Sequence, residues 1–199
     1  MGLRDNFNKF TGKTRFVVCR LFLHLAGSEA TPVLGVLNQV ARETVAADGD
    51  LEIAGEGLAE ACNTLLEYDG YWKSAANEGD VIWDEGEAGD YFDELFADSG
   101  GRYLSSGEVG EFAGDSEPLT LPPTGNLVVM ITIACEGEVP ALENDLASYD
   151  AMNEALKALI NLHYNGKLRG IQVHFSPAQL GDELNDEQLL VSFPELIPL

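Results

Sequence analysis

The residues best suited to chemistry in this chain are few, and they are scattered. Gly12-Lys13-Thr14 has the letters that end a phosphate-binding loop, in which backbone N–H groups and a lysine cradle phosphate at the start of a helix. Phe7 stands where the first glycine of that motif is required, and the run after Thr14 reads as a strand. The triplet is therefore the end of a basic arm. Acid-rich segments fail as calcium loops for similar reasons. A loop begun at Asp48 puts Ile53 at the glycine position and Ala59 at the bidentate glutamate, and one centred on Gly86 begins at Val81.

Arg20, His24 and His174 are a second set. All three fall on the more polar side of apolar strands, where Gln172 joins them. If those strands were neighbours, they would line a face able to hold an anion or to serve a general base. No nucleophile stands next to them, and no Gly-x-Ser-x-Gly, His-Glu-x-x-His or dinucleotide fingerprint occurs. A third set is aromatic and acidic. Trp72, Trp83, Asp84 and Glu85 lie in glycine-bearing acidic sequence, a pattern that fits either a partner surface or aromatics pinning a loop to the core. Cys19, Cys62 and Cys135 lie far apart in apolar segments, the pattern of buried reduced thiols rather than of a disulfide or zinc framework. No metal and no cofactor is expected.

The elements that must position these groups follow from periodicity. Residues 16–25 alternate with Val17, Cys19, Leu21, Leu23 and Leu25 inward, a strand with one core face and one mixed face. Thr31-Pro32 reads as a cap and first position of a helix to about Ala47, ended by "DGD". A second helix spans about 52–68, its first turns weakened by Gly55 and Gly57. A short helix is expected over 90–98. The stretch 99–125, rich in Gly, Ser and Pro, reads as a long loop. "LVVMITIAC" at 127–135 is apolar on both faces, which is the mark of a central strand. A strongly amphipathic helix over 149–163, stopped at Gly166, leads to a strand at 168–175. That order suggests a crossover with the two strands parallel. Asn185 caps a last short helix.

The fold expected is α+β: a small mixed β-sheet of three to four strands, helices packed on one face, and an acidic loop and helix insertion. A basic arm at 1–15 precedes a single domain at 16–199, which is ordinary for 199 residues. Thirty-four acids against eleven bases give a formal charge of -23. Five of those bases and one acid fall within residues 1–20. An acidic body excludes nucleic acid as the expected partner. No stretch reaches the roughly 18 apolar residues of a membrane helix, and Asn6 stands where a myristoylation site needs Ser or Thr. The expectation is a cytoplasmic or stromal protein, with peripheral membrane association and homodimerisation as open alternatives.

Three stretches resemble a known family. "NLVVMITIACEGEVP" at 126–140, "GDELNDEQLLVSFPELIPL" at 181–199 and, upstream, "GLAEACNTLLEYDGYWKSA" at 57–75 are similar to the domain-of-unknown-function family 1517. Its members close with a strand, an acidic turn and a Pro-Glu-Leu-x-Pro-Leu ending. The resemblance covers residues 16–199. It implies a cyanobacterial or plastid setting and a link to photosynthesis, and it supplies no catalytic residues. This chain departs from many members in lacking their glycine-rich segment and membrane helix. The leading function expected is a non-catalytic protein-interaction or regulatory module offering the acidic segment 78–98 to protein partners. The alternative is an enzyme or binder of a small anionic ligand using Arg20, His24 and His174.

Overall fold

The computed structural model describes residues 13–27, 30–104, 125–178, 182 and 184–199, the side chains of 103 and 104 excepted. Residues 1–12 of the basic arm and 105–124 of the expected loop lie outside the described residues. Five strands form one sheet: β1 (Phe16–Ala26), β2 (Trp72–Ile82), β3 (Asn126–Glu136), β4 (Leu168–Ser176) and β5 (Ile197–Pro198), in the order β4-β3-β1-β2-β5. Every pairing is antiparallel. The sheet is thus larger than expected and is not mixed.

The parallel crossover is corrected by the chain between β3 and β4. Residues 137–148 already cross the sheet, tied to β1 where Gly137 N–H donates to the Arg15 carbonyl and to β2 where Leu146 N–H donates to Asn77 Oδ1. Helix α4 (Tyr149–Tyr164) then returns, and β4 begins with Leu168 opposite Cys135 at the end of β3. Two traverses instead of one reverse the strand.

Strand β2 was hidden by its composition. Its small and polar residues, Ser74, Ala75, Ala76 and Gly79, have weak strand propensity, and pairing with β1 over ten residue positions overrides it. Gly79 fits opposite Cys19 because a Cβ there would stand 2.6 Å from the Val18 carbonyl oxygen.

Helices cover both faces of the sheet, not one. On the first face Cys19, Leu21, Leu23, Val129 and Ile131 pack against α1 (Ala30–Ala46), α2 (Leu51–Glu67) and α4 through Leu34, Leu37, Leu58, Leu65, Leu156 and Leu159. Helix α1 starts at Ala30, so Thr31 and Pro32 sit within its first turn and not ahead of it. Asp50 caps α2, its side chain accepting from the N–H groups of Glu52 and Ile53. On the second face α3 (Glu85–Leu104) lays Ala88 and Leu95 on Phe16, Val18 and Ala134, while Leu184 and Phe193, flanking α5 (Asp186–Ser192), cover Phe22, Val128 and Met130. Strand β1 is therefore buried on both sides along nearly its whole length. Helix α3 takes in both the expected 90–98 helix and residues 99–104 of the expected loop.

Candidate functional site

The second face carries the residues singled out for chemistry. Register places Gln172, Thr132, Arg20 and Glu78 in one row across β4, β3, β1 and β2, and His174, Met130, Phe22 and Ala76 in the next. His24, opposite Ser74 and Val128, is one row further. Arg20, His24 and His174 therefore share a face, although β3 separates β4 from β1, so the first and last long strands are not neighbours.

Each of the three is claimed by different partners. The Arg20 side chain, 2% exposed, donates Nε to Glu78 (3.0 Å), Nη1 to the Leu95 carbonyl (2.9 Å) and to Ser99 Oγ (2.7 Å), and pairs through Nη2 with Glu78 and with Asp98 at 2.6 Å. Asp98 also receives Arg102 one helical turn on, at 2.8 Å, and Arg102 reaches Glu195 and the Ser192 carbonyl. Both guanidinium groups lie over the Phe22 ring, at 4.7 and 5.3 Å from its centroid. The result is an ionic ladder, Glu78-Arg20-Asp98-Arg102-Glu195, that bolts α3 and the C-terminal segment onto the sheet. Burial works against ionisation of Asp98, but the hydrogen bonds from Arg20 and Arg102 outweigh it and hold the carboxyl below its ordinary 3.8. Two carboxylates already neutralise Arg20, which leaves it a structural clamp and a poor receptor for an anion.

His24 is the buried link in a polar chain that runs out to the surface. Its Nε2 lies 3.0 Å from Asn126 Oδ1, an acceptor, so Nε2 carries the proton and Nδ1 accepts from the Ser74 hydroxyl at 3.0 Å. Asn126 passes the chain on by donating to the Leu184 carbonyl and to Asp186. Burial lowers the His24 pKa below 6.5 despite the Asn126 hydrogen bond, and keeps the ring neutral near pH 7. His174 is lowered as well, by burial and by the charge of Arg20, and its ring packs 5.3 Å from that of Phe96. Its Nδ1, Gln172 Oε1 and Thr132 Oγ1 lack a protein partner among the described residues. All three belong to the β3 and β4 side of the face under α3.

The aromatic and acidic set divides. Trp72 is buried, donates Nε1 to the Leu65 carbonyl at 3.1 Å and packs 5.1 Å from the Tyr149 ring, so it ties β2 to α2 and α4. Trp83 is half-buried at the entry to α3, its Nε1 without a protein partner among the described residues. Asp84 caps α3 by accepting from Gly86 and Glu87 N–H at 3.0 and 3.1 Å, and Glu85 opens the first turn, where negative charge favours the helix dipole. Beyond Glu78 and Asp98, which serve the ladder, the acids of 78–98 stand exposed: Asp80, Asp84, Glu85, Glu87, Asp90, Asp93 and Glu94.

The basic arm ends in a tether. Arg15 donates to the Gly137 carbonyl (2.7 Å) and pairs with Glu143 at 2.5 Å. All three cysteines are free and buried. Burial, reinforced by Cys135 and Glu143, pushes the Cys19 thiol far up; burial alone does so for Cys62; and burial raises Cys135 to about 11. None is a thiolate near pH 7. Among the described residues no three His, Cys, Asp or Glu side chains are grouped to hold a metal, and no helix is long and apolar enough to cross a membrane.

Sequence reasoning passed over Asp98, Ser99, Arg102 and Glu195, the partners that define what Arg20 does. Only the four-residue spacing of Asp98 and Arg102 was a local signal. No curated protein and no solved structure matches the chain. A family model does, over residues 15–199, nearly the whole length and including the C-terminal strand, capped helix and closing Pro-Glu-Leu segment described above. The chain belongs to the DUF1517 family, proteins of unknown function.

Proposed function

We propose that this protein is a non-catalytic interaction module that presents the acidic face of α3 and the end of β2 to cationic protein partners. The observation that supports this reading is the ionic ladder. It spends Glu78 and Asp98 on fixing α3 to the sheet, and the seven exposed acids of the segment then form a rigid array instead of a solvated tail. A fixed array of one sign steers a partner of the opposite sign and sets its orientation. The photosynthetic association implied by the family resemblance makes plastid and cyanobacterial extracts the place to look, with the protein working outside the bilayer. The anion-binding alternative draws no support from Arg20, which is already neutralised.

The test changes Asp84 and Asp90 to Asn and Glu85 and Glu87 to Gln, an exchange that keeps shape and, at Asp84, keeps a capping side chain. Affinity purification at low and moderate salt should yield partners that the wild type retains and the variant loses, and moderate salt should release them, since exposed charges are screened over about 10 Å at 0.1 M. A variant that retains every partner overturns the reading.

A further inference from the structure

The two edges of the sheet are finished differently. The start of the β2 edge is covered by the chain's own C-terminus, where Ser74 pairs with Pro198, Ala75 with Ile197, and Leu199 N–H donates to the Lys73 carbonyl at 3.0 Å, and the rest of that strand carries the acids Glu78 and Asp80. Strand β4 is the opposite edge. It pairs with β3 from Val128 opposite Ser176 to Cys135 opposite Leu168, and among the described residues no strand lies along its other side. An edge strand directs alternate N–H and C=O groups outward, and proteins blunt such edges with lysines, prolines, inward charges or very short strands. In a chain with 34 acids, β4 has no Asp, Glu, Lys or Pro over nine residues, and its single charge, Arg169, is paired with Glu136.

The edge is also walled. A cleft of about 300 Å³ runs along β4, with Val40, Thr44 and Val45 of α1 and Leu58 of α2 on one side and Phe96 of α3 on the other. Val45 is 80% exposed and Phe96 45% exposed, large apolar groups flanking a strand whose inner side chains, Ile171, Val173 and Phe175, are only half-buried. Exposed acids neighbour these walls in sequence: Glu43, Asp48 and Asp50 follow Val40 through the turn into α2, and Asp93 is one helical turn before Phe96.

We infer that the outer edge of β4 receives an extended, cationic segment of a partner protein as a sixth strand. The backbone edge supplies main-chain hydrogen bonds. The apolar walls take alternate side chains, and the acids on the rim take the lysines or arginines between them. Charge decides the occupant. A second copy of the chain brings another -23 to the same edge, whereas a basic strand lowers the total. Of the residues involved only Asp93 belongs to the acidic α3 array, and the four acids neutralised to test that array are not among them, so this inference stands or falls separately.

The probe is a short fluorescent peptide alternating valine and lysine, titrated into the full chain and read by anisotropy. Controls are the same peptide N-methylated at alternate amides, a scrambled peptide of equal composition, and the variant Val45→Lys, which alters an exposed side chain and leaves the fold intact by circular dichroism. Expected are binding of the alternating peptide, at least tenfold weaker binding of both control peptides and of Val45→Lys, and slowed hydrogen exchange of β4 amides when the peptide is bound. The variant with Asp84, Glu85, Glu87 and Asp90 neutralised should bind the peptide within threefold of wild type. Equal binding of the N-methylated or scrambled peptide reduces the effect to bulk charge and overturns the inference. So does the absence of binding, or protection in the free monomer of the β4 amides that face away from β3. Self-association that Val45→Lys abolishes would assign the edge to a second copy and overturn it as well.

Discussion

Arg20 shows how little a residue's type says about its work. An arginine on the polar side of a strand is a natural anion receptor, yet here its five donors are absorbed by Glu78, Asp98, Ser99 and the Leu95 carbonyl. Arg20→Met keeps the apolar stem and removes the clamp. It should destabilise the protein by about 3 kcal/mol, the lower end for a broken buried pair, because the stranded carboxylates are 43% and 47% exposed and regain water. The thermal midpoint, read by calorimetry, should fall by roughly 10 °C. A change within about 1 °C would mean that the ladder does not hold α3. The histidines make a second prediction at this scale. His24 and His174 have folded-state values below the unfolded 6.5. From 6.5 down to those values the unfolded chain binds more protons than the folded one, so stability falls as the pH falls through that window and is unaffected by these groups above it. The Asp98 contribution has its own window: present above 3.8 and lost as pH falls through the lower folded value. Urea unfolding of wild type and of the double variant His24→Gln, His174→Gln should show a shallower pH slope in the variant between about 6.5 and 5. Parallel slopes would refute a neutral buried state for both rings.

At the scale of elements, close approach matters more than helix propensity. Gly55 and Gly57 look like weaknesses at the start of α2, and the structure makes them contact points. A Cβ at Gly57 would stand 2.6 Å from Val40 Cγ1 of α1, and one at Gly55 2.1 Å from His163 Nδ1 of α4. Gly57→Ala gains about 1 kcal/mol of propensity but overpacks a close contact with the buried Val40, which costs about 1 to 3 kcal/mol. The net expected is a loss of about 1 kcal/mol. Gly35→Ala in α1, where nothing lies within 4 Å, is the control and should be neutral or stabilising by up to about 1 kcal/mol. If both variants gain stability in urea titrations, the tight α1–α2 contact is not as described. The same scale explains what could be read in advance. Strands β1, β3 and β4 and helix α4 were legible because apolar residues at a period of two or of 3.6 state which side is buried. Strand β2 was not, since its alanines, serine and glycine carry no periodic signal. Helix α3 runs further than its periodicity signals, through Gly86, Gly89, Gly100 and Gly101, whose propensity cost is offset by the capping of Asp84, the burial of Leu95 and Ser99, and the ladder.

For the whole molecule, charge and edges define how it meets others. A net charge of -23 keeps copies apart at long range, and among the described residues the acids that do not brace the fold lie at the surface. One sheet edge is paired at its start with the chain's own C-terminus and is acidic beyond it, and the other is a charge-poor strand in an apolar cleft. From the sequence alone came the class of fold, the main strands and helices, the buried thiols, the acidic excess and the family, because each is carried by local composition or by short-range periodicity. The order of strands, their antiparallel sense, the second layer of helices and the work of Arg20 came only from the tertiary structure. Arg20 meets Glu78 across 58 residues and Ser99 across 79. Pairings at that range are selected by burial and charge neutralisation in the assembled core, and no local pattern along the chain announces them.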